Sequence, residues 1–194
     1  MARVAMLGDA FDEVLRAAAG GDEQAFAAIW RDLHPGLLRY LRVMAPAVAE
    51  DLASETWLDV VRRLAHFEGN EPSFRGWVFT VARHRVTDWR RRTARQPSFP
   101  VPAELLPQRA APDDPAGTAV EAISTEAALA LIAELPPDQA EVVALRSLAG
   151  LDVAKVAEIV GKRPGAVRVL AHRGLRRLAE RLEPERRLRG GVTR

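Results

Sequence analysis

Arginine is concentrated in two segments of this sequence, and its chemistry there is that of nucleic-acid binding. Six arginines lie between positions 83 and 95 against a single acid, and seven basic residues lie between 162 and 181 against a single acid. Clustered arginines bind phosphate, and in a major groove an arginine pairs with guanine through two hydrogen bonds. Four acids and no base fall between 44 and 60. This segregation of charge predicts two contacts with nucleic acid and one with a protein partner.

Residues suited to catalysis or metal binding do not form a recognisable set. The sequence has no cysteine, and its four histidines lack metal-ligand spacing. It has neither a glycine-rich phosphate loop nor a nucleophile elbow. We therefore expect no enzyme activity, no cofactor, no metal and no small-molecule substrate. No apolar run approaches the roughly 20 residues of a membrane span, and no signal peptide is evident, so we expect a cytoplasmic protein without membrane insertion.

The second basic segment belongs to a helix-turn-helix pattern between 151 and 178. Apolar residues at helical spacing precede Gly161, which suits a tight turn, and Pro164 suits the start of a second helix. The inward stripe predicted for that second helix is Val167, Leu170, Ala171, Gly174, Leu175 and Leu178. The basic residues fall largely on its other side, where a recognition helix would meet a DNA major groove.

Further helices are predicted on both sides of a proline-rich segment. Asp22 is a candidate N-cap for the first, which Pro35 is expected to kink or split. Others are expected near 48–64, 74–92, 125–134 and 138–149. Trp30, Trp57, Val61, Trp77 and Trp89 are among the side chains expected to face the core.

The expected fold is therefore all-α, with two small helical domains. We divide the chain into an N-terminal arm (1–20), a helical domain (21–95), a flexible linker (96–124), the helix-turn-helix domain (125–183) and a tail (184–194). A proline-rich linker cannot fix the separation of two domains, so the free protein is expected to sample several arrangements.

Two long segments resemble a known family. EDLASETWLDVVRRLAHFEGNEPSFRGWVFTVARHRVTDWRRR, from residue 50, resembles region two of bacterial extracytoplasmic-function (ECF, group 4) sigma factors of the sigma-70 family. LPPDQAEVVALRSLAGLDVAKVAEIVGKRPGAVRVLAHRGLRRL, from residue 135, resembles their region four. The resemblance implies a dissociable subunit of RNA polymerase that recognises −10 and −35 promoter elements and promotes transcription initiation. It also implies an anti-sigma factor, predicted to bind one-to-one between or around the two domains.

The resemblance assigns three surfaces to residues of this chain. The docking surface, expected to bind core RNA polymerase at its clamp helices, comprises Glu50, Asp51, Glu55, Trp57, Asp59 and Arg62. The −10 surface comprises His66, Asn70, Arg83, Arg85, Trp89, Arg90, Arg91 and Arg92, with Asn70 as the best candidate for holding a flipped base. The −35 surface comprises Arg163, Arg168, His172, Arg173, Arg176 and Arg177. The polymerase flap is a further expected contact.

Two alternatives remain at the level of sequence. One is a stand-alone helix-turn-helix regulator that binds an operator and uses residues 21–95 for sensing or dimerisation. The other is an interaction module or anti-activator that binds only protein. The basic segment at 83–95 and the turn-rich loop at 66–73, both in the first domain, favour the sigma-factor interpretation, because a sensing domain needs neither.

Overall fold

The protein folds into α-helices joined by short turns. The computed structural model describes residues 10–95 and 118–189, with side chains for 10–95 and 125–182, and those residues form no β-strand. The helices are α1 (Phe11–Ala19), α2 (Glu23–Met44), α3 (Ala49–Arg63), α4 (Glu71–Arg95), α5 (Thr118–Ala133), α6 (Pro137–Ser147), α7 (Val153–Val160) and α8 (Pro164–Arg189). The all-α prediction is confirmed. Helices α1–α4 form an N-terminal bundle and α5–α8 a C-terminal domain.

Helix α2 is continuous through Pro35, so the predicted split there is wrong, whereas the predicted kink stays a prediction. Asp22 caps the helix as predicted, because its carboxylate accepts hydrogen bonds from the amides of Gln24 (2.8 Å) and Ala25 (3.0 Å). A proline inside a helix costs about 3 kcal/mol. The helix persists because a buried stripe on both sides of Pro35 holds it against the bundle. That stripe is Ile29, Leu33, Leu37 and Leu41.

The core of the N-terminal bundle is built around large side chains of α2 and α4. Tyr40, Phe74 and Phe79 are fully buried, and the rings of Tyr40 and Phe79 meet edge to face with centroids 5.6 Å apart. Helix α1, inside the segment predicted only as an arm, adds Phe11, whose ring lies 5.7 Å from that of Phe74. Helix α1 therefore closes the bundle.

A buried ion pair joins α2 to α4. The Arg75 guanidinium lies 2.7 Å from the Asp32 carboxylate, and the two side chains are 6% and 10% exposed. Burial raises the pKa of the Asp32 carboxyl, and the Arg75 charge opposes that shift. Arg75 also lies 3.8 Å from the buried Glu71 carboxylate. Removing Arg75 would leave the Asp32 charge buried without its partner, so the pair fixes the register of α4 against α2.

Two expected core residues are exposed. Val61 is 52% exposed on α3, and Leu175 is 51% exposed on α8. Each follows a buried residue, Val60 and Gly174, by one position, which turns its side chain about 100° away from the buried stripe. Trp30 is also partly exposed, at 38%, and its ring stacks on that of His34 with centroids 4.2 Å apart.

In the C-terminal domain, a capped helix and a glycine turn set the angle of α8. The Asp152 carboxylate accepts a hydrogen bond from the Lys155 amide (2.8 Å) and caps α7. Gly161 ends α7 with φ of 66°, a left-handed conformation in which a side chain would be strained. Val167 is fully buried, and Gly174 allows α8 to approach Val143 of α6 closely. The predicted helix-turn-helix is thus present.

The two domains pack against each other. Helix α2 contacts α5 and α6, and α4 contacts α7. This structure shows one packed arrangement, whereas the sequence predicts several. Helix α5 begins at Thr118, within the segment predicted as linker, and residues 96–117 lie outside the described residues.

Candidate nucleic-acid interface

The outward face of α8 is the most open part of the candidate DNA-binding site. Counted at 100° per residue, the buried Val167, Gly174 and neighbouring Leu178 share one side of the helix. The opposite side carries exposed residues of the −35 surface: Arg168, His172, Arg173 and Arg176. Arg163, just before the helix, is also exposed. The helix-turn-helix therefore turns its basic face to solvent and its apolar stripe to the domain core, as a recognition helix requires.

Two residues of α8 depart from this assignment. Arg177, predicted for the −35 surface, points towards α6 and donates a hydrogen bond to the Gln139 side-chain oxygen (3.2 Å). Val169, which sequence reasoning did not single out, is 48% exposed and lies nearly opposite Val167, at the centre of the basic face. Helical periodicity alone places Val169 on this face, but its uncharged side chain does not stand out in a sequence pattern defined by basic residues. Gly165, one turn earlier, leaves open space beside it.

The basic end of α4 is exposed for three of its predicted DNA contacts. Arg90, Arg91 and Arg92 are all exposed, and Trp89 is half-buried against the bundle. The Arg90 guanidinium also donates a hydrogen bond to the Met44 carbonyl (2.8 Å), which orients its side chain. Arg91 lies 4.0 Å from Asp88, a pair of exposed groups that contributes little to stability.

The other two arginines of the −10 surface are held by acids. Arg85 forms ion pairs with Asp59 and with Glu55, the latter at 3.5 Å. Arg83 donates a hydrogen bond from Nε to the Glu141 carboxylate of the C-terminal domain (2.9 Å). The acidic segment and the first basic segment thus neutralise each other in part. Sequence reasoning missed Glu141, because its partner lies far away in the chain.

The loop between α3 and α4 forms an open pocket of about 490 Å³. The pocket is lined by Arg63, His66, Phe67, Glu68 and Trp77. The rings of Phe67 and Trp77 stack with centroids 5.1 Å apart and an interplanar angle of 29°. An aromatic wall beside a basic side chain has the chemistry of a site for an unstacked base.

Asn70 has a structural role at the rim of this loop. Its side-chain oxygen accepts a hydrogen bond from the Ser73 amide (3.0 Å), and its carbonyl accepts one from the Phe74 amide (2.9 Å). Asn70 therefore caps α4. Its role as the contact for a flipped base stays a prediction, and the cap explains why an asparagine at this position would be retained without DNA.

The docking surface on α3 is less acidic than predicted. Asp51 and Arg62 are exposed and share the outward side of the helix, and Glu50 is exposed and paired with Arg42 at 2.9 Å. Asp59 is only 8% exposed. Trp57 is 7% exposed and donates a hydrogen bond to His34 Nδ1 (3.1 Å). The side chains of Asp59 and Trp57 are therefore not open to a partner in this arrangement.

The outer side of α3 exposes apolar side chains, whereas Asp59 is buried. Leu58 is 56% exposed and lies on the same side of the helix as Asp51 and Arg62, and Val61 lines a groove with Phe26 and Leu64. One carboxylate oxygen of Glu55 is buried without a hydrogen-bond partner. A mixed apolar and charged surface of this kind is typical of protein–protein contacts.

The described residues contain no group of three or more metal-ligating side chains placed to hold an ion. Among the same residues, no helix has both the length and the apolar character needed to cross a membrane.

The fold and these surfaces define a two-domain helical protein with a recognition helix for DNA, and comparison with known proteins identifies its class. The family model described as "Sigma-70 region 2" matches residues 29–96, and the model "Sigma-70, region 4" matches residues 125–178. Together they cover the first basic segment and six of the seven basic residues of the second. The match of the N-terminal bundle to region 2 supports the sigma-factor interpretation over a stand-alone operator-binding regulator.

Curated relatives narrow the class further. The ECF RNA polymerase sigma factor ShbA of Streptomyces griseus is 38% identical over 172 residues, covering 83% of this chain and 89% of the relative. The ECF RNA polymerase sigma factor BldN of Streptomyces coelicolor is 34% identical over 177 residues, covering 90% of this chain and 67% of the relative. The chain therefore belongs to the ECF sigma factors of the sigma-70 family. Such factors are regulatory factors of transcription initiation rather than catalysts.

A solved structure shares the fold. CnrH, solved in complex with the cytosolic domain of CnrY, superposes with a TM-score of 0.63 over 91% of this chain and 99% of that one, at 19% identity. At this level of identity the likeness supports the arrangement of helices alone.

Proposed function

We propose that this sigma factor binds core RNA polymerase through the outer side of α3 and directs it to promoters by contacts on α4 and α8. The observation that carries the proposal is the outward basic face of α8, in a chain that matches both sigma regions. The site of action is the bacterial cytoplasm, where RNA polymerase works. The chain contributes binding and positioning and no catalytic group of its own.

For the docking surface, the exposed Asp51, Leu58, Val61 and Arg62 support contact with the clamp helices. Apolar burial supplies the affinity of such a contact, and the flanking charges set its orientation. Trp57 supports it from inside, because its hydrogen bond to His34 fixes the face of α2 that lies beside it. Asp59 acts through Arg85 rather than by direct contact.

For the −10 element, the aromatic pocket and the basic end of α4 support two successive contacts. An unstacked base fits against Phe67 and Trp77, with His66 and Arg63 near its phosphate. Arg90, Arg91 and Arg92 then follow the DNA backbone.

For the −35 element, the first two turns of α8 hold the residues that read base edges. Recognition helices place their N-terminal residues deepest in the groove, so Arg168, Val169 and His172 reach bases while Arg176 reaches phosphate. An arginine suits guanine, and the exposed Val169 suits the methyl group of thymine. Arg177 stabilises the domain instead, through Gln139.

An anti-sigma factor is the further partner proposed for this chain. The sigma factor RpoE of Bartonella quintana, which shares this fold, has been solved in complex with the anti-sigma factor NepR. The apolar groove at Phe26, Val61 and Leu64 offers a helical inhibitor a surface that overlaps the docking surface. Inhibitor and polymerase would then compete for α3.

The proposal is tested by transcription in vitro from a promoter library, using core polymerase with and without this chain. Promoter-specific transcripts are expected only with both components. Arg168→Ala should relax base preference at one −35 position, at a cost of about 1–3 kcal/mol. The matched control is Arg181→Ala, which removes an equal charge on the side of α8 that faces Glu134. Equal transcription by both variants would show that the −35 surface is misassigned.

The docking surface is tested separately by affinity for core polymerase. Asp51→Lys reverses a charge at the proposed contact, and Asp12→Lys makes the same change on α1, where the side chain is also exposed. We expect only the first to weaken binding. If the two variants bind core polymerase equally, the outer side of α3 is not the docking surface.

A further inference from the structure

Glu141 links the two domains through a residue assigned to DNA. This α6 carboxylate accepts a hydrogen bond from Arg83 of α4 (2.9 Å) and another from the Tyr40 hydroxyl of α2 (3.3 Å). The Glu141 and Arg83 side chains are 13% and 32% exposed. A charged pair so far removed from water is stronger than a surface ion pair, and the third partner fixes its geometry.

The surroundings of Glu141 are adapted to this contact. Tyr40 is completely buried, and its burial, followed by the nearby Glu141 charge, raises the pKa of its hydroxyl well above the usual range. The Tyr40 hydroxyl therefore stays protonated and donates its hydrogen bond to Glu141. If the domains separated, water would have to replace Glu141 as the partner of Arg83 and Tyr40.

Two close contacts at glycines accompany the pair, one with backbone and one with a side chain. A Cβ added to Gly36 of α2 would lie 3.0 Å from the Leu148 carbonyl oxygen, and one added to Gly76 of α4 would lie 3.2 Å from Lys155. Both contacts cross between the domains, and a larger side chain at Gly36 would collide with backbone, which cannot rotate aside. The domain contact is thus fitted at two glycines as well as paired at Glu141.

This packed arrangement is too short for a promoter. Elements centred at −10 and −35 are about 25 base pairs apart, or about 85 Å at 3.4 Å per pair. A compact chain of this length has a radius of gyration of about 16 Å and measures roughly 42 Å across. The two domains must therefore separate before both elements are bound.

We propose that the domain contact is an autoinhibitory latch, in which Glu141 holds Arg83 away from −10 DNA until the domains separate. The latch rests on the proposed function, since it assigns a regulator to the same −10 surface. Glu141 occupies an arginine that would bind a DNA phosphate, so closure of the domains removes one contact from the −10 surface and weakens binding of the −10 strand. Core polymerase or DNA opens the latch by binding the separated form more tightly.

The experiment measures binding of the full-length protein to the single-stranded −10 sequence of a promoter recovered in the transcription assay. Glu141→Gln removes the charge that holds Arg83 but keeps an acceptor for Tyr40. Its control, Glu134→Gln, removes the same charge from an exposed site in the same domain. We expect Glu141→Gln to bind about fivefold more tightly and to expand in solution scattering. Its log–log salt dependence should be steeper by about 0.7, the contribution of one added phosphate contact to a single strand.

Two further variants separate the latch from a general charge effect. Arg83→Ala combined with Glu141→Gln should cancel the gain in affinity. Gly36→Leu should reproduce the expansion and the gain without altering any charge, because leucine cannot fit against the Leu148 carbonyl. The latch is overturned if Glu141→Gln binds like Glu134→Gln, or if its gain survives the loss of Arg83. Absence of promoter-specific transcripts would instead overturn the proposed function, and the latch with it.

Discussion

Gly174 offers a sharp test of the packing that orients the recognition helix. An added Cβ would lie 2.7 Å from Val143 Cγ2, 3.4 Å from Leu135 Cδ1 and 3.5 Å from Gln139 Cβ. Ordinary carbon contacts are about 3.5–4.0 Å, so in Gly174→Ala the valine methyl must retreat by roughly 1 Å. Val143 is 1% exposed and β-branched in a helix, so it has little freedom to rotate. The helices themselves must separate.

Two opposing terms set the size of the effect. Overpacking of a filled core costs about 1–3 kcal/mol, whereas alanine in place of glycine stabilises a helix interior by up to about 1 kcal/mol. We therefore expect Gly174→Ala to lower the free energy of unfolding by about 1–2 kcal/mol. Gly165→Ala is the matched control in the same helix. It has nothing within 4 Å of the added Cβ, so it should leave stability unchanged or raise it by up to about 1 kcal/mol.

The measurement is urea unfolding followed by far-ultraviolet circular dichroism and by tryptophan fluorescence. All four tryptophans lie between residues 30 and 89, so fluorescence reports the N-terminal bundle directly. A loss of 1–2 kcal/mol in the free energy of unfolding lowers the urea concentration at the unfolding midpoint by roughly 0.5–1 M for a typical small protein. If Gly174→Ala proved as stable as Gly165→Ala, the close crossing of α6 and α8 would be wrong, and with it the angle assigned to the basic face.

Three other outcomes follow from particular contacts. Asp152→Ala removes the cap of α7 and should cost about 1 kcal/mol in urea unfolding. Burial lowers the pKa of His34 in the folded state, so the unfolded chain binds a proton more readily there. Stability should therefore fall as pH drops below about 6.5 towards the lowered folded value, and His34→Gln, which retains an acceptor for Trp57, should show a smaller loss than the wild type between pH 8 and pH 5.5. Deoxyuridine in place of a −35 thymidine should weaken wild-type binding about fourfold, the contribution of one buried methyl group. If Val169 contacts that methyl group, the affinity of Val169→Ala should not change when deoxyuridine replaces thymidine at any position.

The sequence predicts the long helices well because their buried stripes are regular. Helices α3 and α4 lie within a few residues of the predicted ranges, since apolar side chains recur at three- and four-residue steps along them. Helix α1 was not predicted, because it is short and its only buried residues are Phe11, Leu15 and Ala18. The split predicted at Pro35 is wrong because the sequence shows the free-energy cost of a proline inside a helix but not the packing that outweighs it.

The surfaces were harder to predict than the helices, because residue type does not say which way a side chain faces or what it meets. Asp59 fits an acidic docking surface by charge, yet it turns towards Arg85 of the neighbouring helix. Val169 lies at the centre of the recognition face and carries no charge to reveal it. Glu141 meets Arg83 across two domains, a pairing that depends on tertiary geometry alone. These orientations and contacts become visible only when the positions of the helices are known.

Helix α4 fixes the distance between its two ends. It runs unbroken from the rim of the aromatic pocket to its last arginine, and at 1.5 Å per residue its length is about 37 Å. One base step of DNA, about 3.4 Å, equals little more than two of its residues. In the proposed −10 contact, the protein therefore fixes the distance between the unstacked base and the arginines at the far end of α4. A promoter that gained or lost a single base between those two points would no longer match both ends of the helix, so the proposed contact requires a fixed spacing inside the −10 region.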